Sequence, residues 1–329
     1  VGLATFVCKI VINVFMSGKE IIDLAPLQGF TDFVFRRCHH QVFGSIDTYY
    51  IPYLSVGKGK KIRNSQYRDV LPENNQGIPV VPQVLCANVD ELRLLADELK
   101  QLNYPSVNLN LGCPYPMATK RGRGTGLLEN DEMLRAVLDC LFSDYDFQVS
   151  VKFRSGLVDD QTIFKEMDTL AAYPFSQLIF HPRTAKQMYK GQANRDLFVR
   201  LSNEMNRPLV YNGDLVNAGD LDAIQQAVAG QHHWMIGRGV LINPLLVNQL
   251  KGEEFSDDQE LNLKAQFHQL LLDNYREVLQ DDGHVLLKMK QFWSYFSQSF
   301  ENPAKVFKPI KKATKLARYM EIYPSILSM

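Results

Sequence analysis

Eight short apolar, β-branched runs recur along the chain, at 21–25, 46–51, 80–85, 106–111, 148–153, 177–181, 208–212 and 233–236. Stretches of helical periodicity separate them, among them 89–102, 131–142, 162–172 and 218–228. Strands that alternate with helices pair in parallel, because a parallel neighbour is reached only through a crossover. Eight such units predict an α/β fold, a closed (β/α)8 TIM barrel over residues 21–252. A doubly wound open sheet is the alternative topology. Its dinucleotide-binding form is disfavoured, because no GxGxxG follows the first run.

After residue 250 the pattern changes. Ser256 with Gln259 three residues on has the spacing of a capping box. Leu263, Phe267, Leu270, Leu271, Tyr275, Val278 and Leu279 then repeat at helical spacing. Asp281-Asp282-Gly283 reads as the end of that helix, and two more helices are expected at 284–300 and 303–319. Residues 253–329 are therefore expected to form a small helical domain. Lysine plus arginine equals aspartate plus glutamate, 36 each, so net charge gives no hint of a nucleic-acid partner. The distribution does. Residues 251–283 hold nine acidic and three basic residues, whereas 284–318 hold eight basic residues against Glu301 alone. That basic stretch reads either as a solvated helix face or as a surface for a phosphate backbone.

Five cysteines, Cys8, Cys38, Cys86, Cys113 and Cys140, are scattered without a CxxC pair. Neither a disulfide framework nor a metal site is expected, and a reducing cytoplasm fits. Residues 1–15 are apolar with one lysine, too short to span a bilayer and without a cleavage pattern. Residues 1–20 read as an extension, either upstream sequence ahead of a start at Met16 or a β-prone arm. A monomer independent of membranes is expected.

Active sites of TIM barrels lie at the C-terminal ends of the strands. Those positions hold Pro26, Leu27 and Gln28; Gln83; Asn110 to Pro114; Lys152 and Arg154; His181 and Arg183; Asn212, Gly213 and Asp214; and Gly237, Arg238 and Gly239. The last two groups suit a cofactor phosphate, since phosphate sites form from the loops after strands 7 and 8 and glycine lets the main chain approach. Taken alone, Gly237-Arg238-Gly239 reads as a surface turn. An unpaired Lys152 in an apolar mouth is costly, so it reads as a Schiff-base lysine or as the neighbour of an anion. His181 is a core histidine or a cofactor contact. Cys113, set between Gly112 and Pro114 past a strand, is a thiol at the rim that could be nucleophile or general acid. The other four cysteines read as small core hydrophobes.

Together these residues resemble the tRNA-dihydrouridine synthase family. The matching pieces are APLQGFTDFVFR (25–36), Gln83, NLGCP (110–114), GLL (126–128), VKFRSG (151–156), HPRTAKQMYKG (181–191), NGD (212–214) and MIGRGVLINP (235–244), in the family's order. LKMKQFWSYF (287–296) is similar to the helical domain of the bacterial C-type branch. The chain departs from the family after Cys113. A Ser/Lys pair and a glycine-rich run are replaced there by residues 115–126, with Arg121 and Arg123 among the glycines. Leu27 and Gln28 also replace the common pair, and Ala193-Asn194-Arg195 stands for the usual ADW.

The resemblance implies an NAD(P)H- and FMN-dependent oxidoreductase acting on a CH–CH bond. FMN would lie across the barrel mouth, bordered by Pro26, Leu27 and Gln28 and touched by Gln83, Lys152 and His181. Asn212, Gly213, Asp214, Gly237 and Arg238 would hold its phosphate, and NADPH (or NADH) would reduce it. Hydride would pass to C6 of a D-loop uracil in tRNA, and Cys113 would give the proton to C5. Asn110 would bind the base, and Arg154 and Arg183 would contact substrate or flavin phosphate. Lys311, Lys312 and Lys315, with the basic stretches 58–63 and 120–123, would grip tRNA phosphates. An FMN barrel acting on a small molecule of dihydroorotate or enoate type is the alternative. A non-catalytic RNA-binding barrel is a further one.

Overall fold

The computed structural model describes residues 20–57, 59, 61–205 and 207–328. The expectations for residues 1–19, and for Lys58 and Lys60 within the basic stretch 58–63, lie outside the described residues. Eight strands run β1 Ile21–Leu24, β2 Thr48–Leu54, β3 Val80–Val84, β4 Ser106–Leu111, β5 Gln148–Arg154, β6 Gln177–His181, β7 Leu209–Tyr211 and β8 His233–Ile236. They pair in chain order, and β8 returns to β1 in parallel from Ile21 opposite His233 to Leu24 opposite Ile236. The barrel is closed, so the open-sheet alternative falls.

The crossover helices are α1 Phe33–Val42, α2 Asn64–Val70, α3 Val89–Gln101, α4 Asp131–Ser143, α5 Gln161–Ala172, α6 Arg195–Glu204 and α7 Ala218–Ala227. Asp32, Asn88, Asn130, Asn194 and Asn217 cap five of them, each side chain accepting from a first-turn N–H. Two short helices, α8 Arg238–Ile242 and α9 Leu246–Leu250, follow β8.

Strand alternation decides what reaches the site. Successive side chains point to opposite faces, so in β5 Val149, Val151 and Phe153 join the helix-facing core while Ser150, Lys152 and Arg154 face the barrel interior. In β4, Val107, Leu109 and Leu111 face the helices and Asn108 and Asn110 the interior. Ala25, Tyr50, Ile179, Val210 and Met235 form a small apolar plug of their own inside the barrel.

Strand β2 departs from the expected 46–51. It runs through Pro52 to Leu54, because a register shift between Ile51 and Leu54 takes up a proline that cannot donate to the ladder. The extra residues carry Tyr53 to the strand end.

Helices α10 Asp257–Leu279, α11 Asp282–Phe296, α12 Pro303–Lys312 and α13 Leu316–Ile326 follow. Ser256 and Gln259 form the reciprocal capping box. Asp281-Asp282-Gly283 is a start rather than a stop: α10 ends at Gln280, left-handed at φ 53°, and Asp281 caps α11 through the His284 N–H. The expected helix 303–319 breaks at Ala313, which is extended. Ile310, Ala313, Leu316 and Tyr319 are all buried, so their spacing of three carries across the break and hides it from periodicity.

The helical segment is tied to the β1–α1 loop. Asp32 accepts from Tyr275 at 2.9 Å and from Lys288 at 2.7 Å, and Phe30 meets Tyr295 edge-on at 5.2 Å. Among the described residues no helix is long and apolar enough to cross a membrane.

Candidate active site

Cys113 sits in a turn that the barrel interior holds in place. Asn110 Oδ1 accepts from the backbone N–H of Gly112 at 3.0 Å and of Cys113 at 2.8 Å. Asn110 Nδ2 donates to Gln83 Oε1, Gln83 Nε2 to Asn108 Oδ1, and Asn108 Nδ2 to Ser150 Oγ, all at 2.7–2.8 Å. One amide chain thus runs across three strands and ends on the cysteine turn. Burial pushes the Cys113 thiol up; the Tyr115 N–H, the Arg154 charge and the Tyr53 hydroxyl pull partly against it. The net result is a thiol that keeps its proton at neutral pH, which suits an acid better than a nucleophile.

The loop 115–126 closes over this turn. Thr125 donates to Cys113 O through its N–H, at 3.3 Å. A Cβ on Gly126 would lie 2.4 Å from Thr119 O, so that glycine is required by close packing. Arg123 forks onto Glu91, with Nε donating to Oε2 at 2.9 Å, and also reaches Val56 O at 2.9 Å. The expectation that Arg123 grips tRNA is therefore corrected: it is spent on fastening the loop. Lys120 and Arg121 on the same loop are exposed, as are Lys61 and Arg63.

Two neighbouring cavities, which share lining residues, occupy the barrel mouth. The one beside Cys113 measures about 120 Å³ and includes Gln83, Asn110, Tyr53, Tyr115 and Arg154. The other, about 420 Å³, reaches Asn212, Gly213, Asp214 and Gly237. Pro26, Leu27, Lys152, His181, Tyr189, Arg238 and Tyr295 line both, and Gln28 lines the first.

Lys152 makes no hydrogen bond or ion pair with the described residues, and burial, then the Arg154 charge, push it down to about 7. His181 is neutral, held well below its ordinary value by burial and then by the Arg154, Lys152, Arg183 and Arg238 charges. Its Nε2 faces the Arg183 guanidinium at 3.1 Å and so must accept, which leaves the proton on Nδ1. Arg154 donates to Thr184 O and Met188 O and lies over the Tyr189 ring, 5.4 Å from its centroid. Arg238 approaches the same ring at 4.5 Å.

Two residues expected to reach a ligand at the ends of β6 and β7 are engaged with each other. Arg183 is only 1% exposed and lines neither cavity. It donates to both oxygens of Asp214 and to Gly191 O, so its guanidinium is committed to those partners. Asp214 also accepts from Arg238 at 2.7 Å and from the Ala193 N–H at 2.8 Å. Burial raises its carboxyl, but Arg183, that N–H and the Arg238 charge outweigh it and hold it low. As a carboxylate it places Arg238 instead of holding an anion itself. Asn212 Nδ2 donates to Met235 O. A Cβ on Gly213 would meet Ala193 at 2.8 Å, so something would have to shift to admit one, whereas one on Gly237 would meet Ala25 at 3.3 Å, a tight contact that a small adjustment can accommodate.

Lys311, Lys312 and Lys315 lie exposed at the end of α12 and just past it, and they line neither cavity. Of the other basic residues there, Lys288 is latched to Asp32 and Gly29 O, and Arg318 pairs with Glu321. Sequence reasoning did not single out Tyr53, Tyr115, Tyr189, Tyr295 or Gln298, all of which line the cavities. Tyr189 and Tyr295 lay inside quoted motifs; Tyr53 was hidden behind Pro52.

A closed barrel with its cavity at the C-terminal strand ends defines the class of (β/α)8-barrel enzymes. Solved morphinone reductase shares that fold, with a TM-score of 0.50 at 12% identity over 73% of this chain and 88% of that one. The sequence pattern of the family described as Dihydrouridine synthase (Dus) matches residues 23–321. A tRNA-dihydrouridine(16) synthase of Cupriavidus necator is 25% identical over 315 residues, 92% of this chain and 96% of that protein. One of Ralstonia nicotianae is 28% identical over 238 residues, 70% of this chain and 72% of that protein. The chain belongs to the dihydrouridine synthase family, a family of oxidoreductases.

Proposed function

We propose that this chain is a flavin-dependent tRNA-dihydrouridine synthase that reduces the C5–C6 double bond of a D-loop uridine, with FMN as cofactor and NADPH or NADH as reductant. The observation that carries this reading is that Cys113, its thiol pushed up by burial, and Lys152, without a hydrogen-bond or ion-pair partner among the described residues, line the same cavity. We further read 21–252 as the flavin-binding barrel and 253–329 as a tRNA-binding unit, acting as a cytoplasmic monomer.

The residues present fit a flavin. The larger cavity falls in the range of small-molecule sites. Among the described residues Lys152 has no ion-pair partner, and an anion placed beside it would restore its charge. Asn212, Gly213, Gly237 and Arg238 would hold the phosphate, with Asp214 aiming Arg238. Pro26, Leu27 and Gln28 would border the ring, and Lys152, His181 Nδ1–H and the spare N–H of Gln83 would contact it.

The chemistry that a reduced flavin held by these residues would supply is hydride transfer to C6 of the base. Cys113 gives its proton to C5, and the thiolate left behind is eased by the Arg154 charge, the Tyr115 N–H and the Tyr53 hydroxyl. Asn110 keeps the acid in place through its Oδ1 and has one N–H left for the base. The target uracil must leave its stack to reach this thiol, and a loop nucleotide does so most cheaply. Lys311, Lys312, Lys315, Lys120, Arg121 and Arg63 would take the flanking phosphates.

The test combines two measurements. Purified protein should carry flavin and oxidise NADPH with unmodified tRNA but not with small enones. Turnover with the enones alone favours the small-molecule alternative, and a colourless, inactive protein favours the RNA-binding one. Mapping dihydrouridine in tRNA from a strain lacking the chain should show one D-loop position lost. The relatives named for position 16 make that the first position to inspect.

A further inference from the structure

Exposed apolar side chains are concentrated at the mouth of the barrel. Of the nine large ones on the described surface, Tyr115, Met117, Val158, Tyr189 and Val216 lie in the segments that follow the C-terminal ends of strands, Met117 in the short helix Pro116–Thr119. Single exposed apolar residues need no explanation, but a cluster around a site does. Tyr115 and Met117 stand out, at 48% and 79% exposure, two and four residues after Cys113.

Their backbone is already rigid. The N–H groups of Ala118 and Thr119 both donate to Tyr115 O, at 2.8 and 3.0 Å. Arg123 fastens the loop to Glu91 and Val56 O, and Gly126 packs directly against Thr119. Tyr115 lines the cavity of Cys113 while half of it stays in water. The positive charge of Lys120 and Arg121 continues outward along the same loop.

We propose that Tyr115, with Met117 beside it, is a stacking platform for the nucleobase adjoining the uridine that enters the cavity; this rests on the function proposed above. Cys113 is buried, so the reacting base passes inward of the rim, and the aromatic ring at the rim meets the next nucleotide. An aromatic face accepts any base, and the neighbouring cations suit the phosphates on either side of it. Because the loop is pinned before binding, little ordering is lost when the base lands. The departure of residues 115–126 from the family's pattern thereby acquires a purpose: the loop trades glycine-rich freedom for a fixed aromatic surface.

The experiment measures dihydrouridine formation on unmodified tRNA by wild-type, Tyr115→Ala and Tyr115→Trp enzymes. The same tRNA is also prepared with an abasic nucleotide 5′ or 3′ of the target. On intact tRNA, Tyr115→Ala should raise KM roughly tenfold with a much smaller change in kcat, and Tyr115→Trp should restore it. One of the two abasic tRNAs should raise the wild-type KM by a similar factor and erase the difference between wild type and Tyr115→Ala. An unchanged KM for Tyr115→Ala, or a tenfold difference that persists on both abasic tRNAs, overturns the platform. If Tyr115→Ala fails to fold, wild-type KM unaffected by either abasic site overturns it instead. No dihydrouridine from the wild type on any tRNA overturns the underlying function and is recognised by the intact-tRNA control.

Discussion

Gly124 packs against Cys113 so closely that a Cβ on it would lie 2.6 Å from the cysteine Cβ and 2.8 Å from its carbonyl oxygen. Gly124 also has φ +60°, a region other residues enter at a cost. The candidate acid is thus held from both sides, by Asn110 beneath and by a glycine with no side chain above. Gly124→Ala should destabilise the protein by about 1–3 kcal/mol through overpacking and reduce turnover by displacing the thiol. A thermal melt and tRNA mass spectrometry on the variant check both, and an unchanged Tm would show that the contact is slack.

Cys113→Ala should keep bound flavin and lose roughly 10²–10⁴-fold in dihydrouridine formation, the usual contribution of a positioned acid. Flavin absorbance and mass spectrometry of tRNA read the two properties separately. Wild-type turnover in this variant would remove Cys113 from the chemistry.

Lys152 sets a pH dependence with a defined sign. Its folded value lies near 7, against about 10.4 for an unfolded lysine. Between those values the unfolded chain binds more protons, so the stability of the flavin-free protein should rise with pH across that window. Lys152→Met removes the buried charge. It should therefore raise Tm most at pH 6, where native Lys152 is protonated, and less at pH 9. Equal gains at both pH values would contradict the lowered value.

Replacing Lys311, Lys312 and Lys315 by glutamine should weaken tRNA binding and flatten its salt dependence. Each lost phosphate contact lowers the slope of log K against log salt by about 0.7–0.9. Binding titrations at several salt concentrations measure the slope, and an unaltered one would take α12 out of the interface.

Much of this was legible along the chain because it depends on local rules. Eight β-branched runs with crossovers between them imply parallel pairing, and parallel pairing with eight units closes a barrel. Period-two alternation then sends Asn110, Lys152, Arg154 and His181 inward at the strand ends. Failures came where a local signal had a second meaning. Pro52 reads as a strand end, yet a register shift absorbs it and delivers Tyr53. Asp281-Asp282-Gly283 reads as a helix stop, yet Asp281 is a cap. Arg183 reads as a ligand at the rim, yet it is buried beneath Asp214.

The sequence by itself therefore determined the barrel and the places of Cys113, Asn212, Gly213 and Gly237 at its mouth, since strand order and alternation are properties of neighbouring residues. Only the tertiary structure decided which charged groups are free. Among the described residues Lys152 stays without a partner, while Arg123, Arg183, Asp214 and Lys288 are consumed by residues 24 to 256 positions away. Ion pairing depends on distance in space, and no spacing along the chain records it.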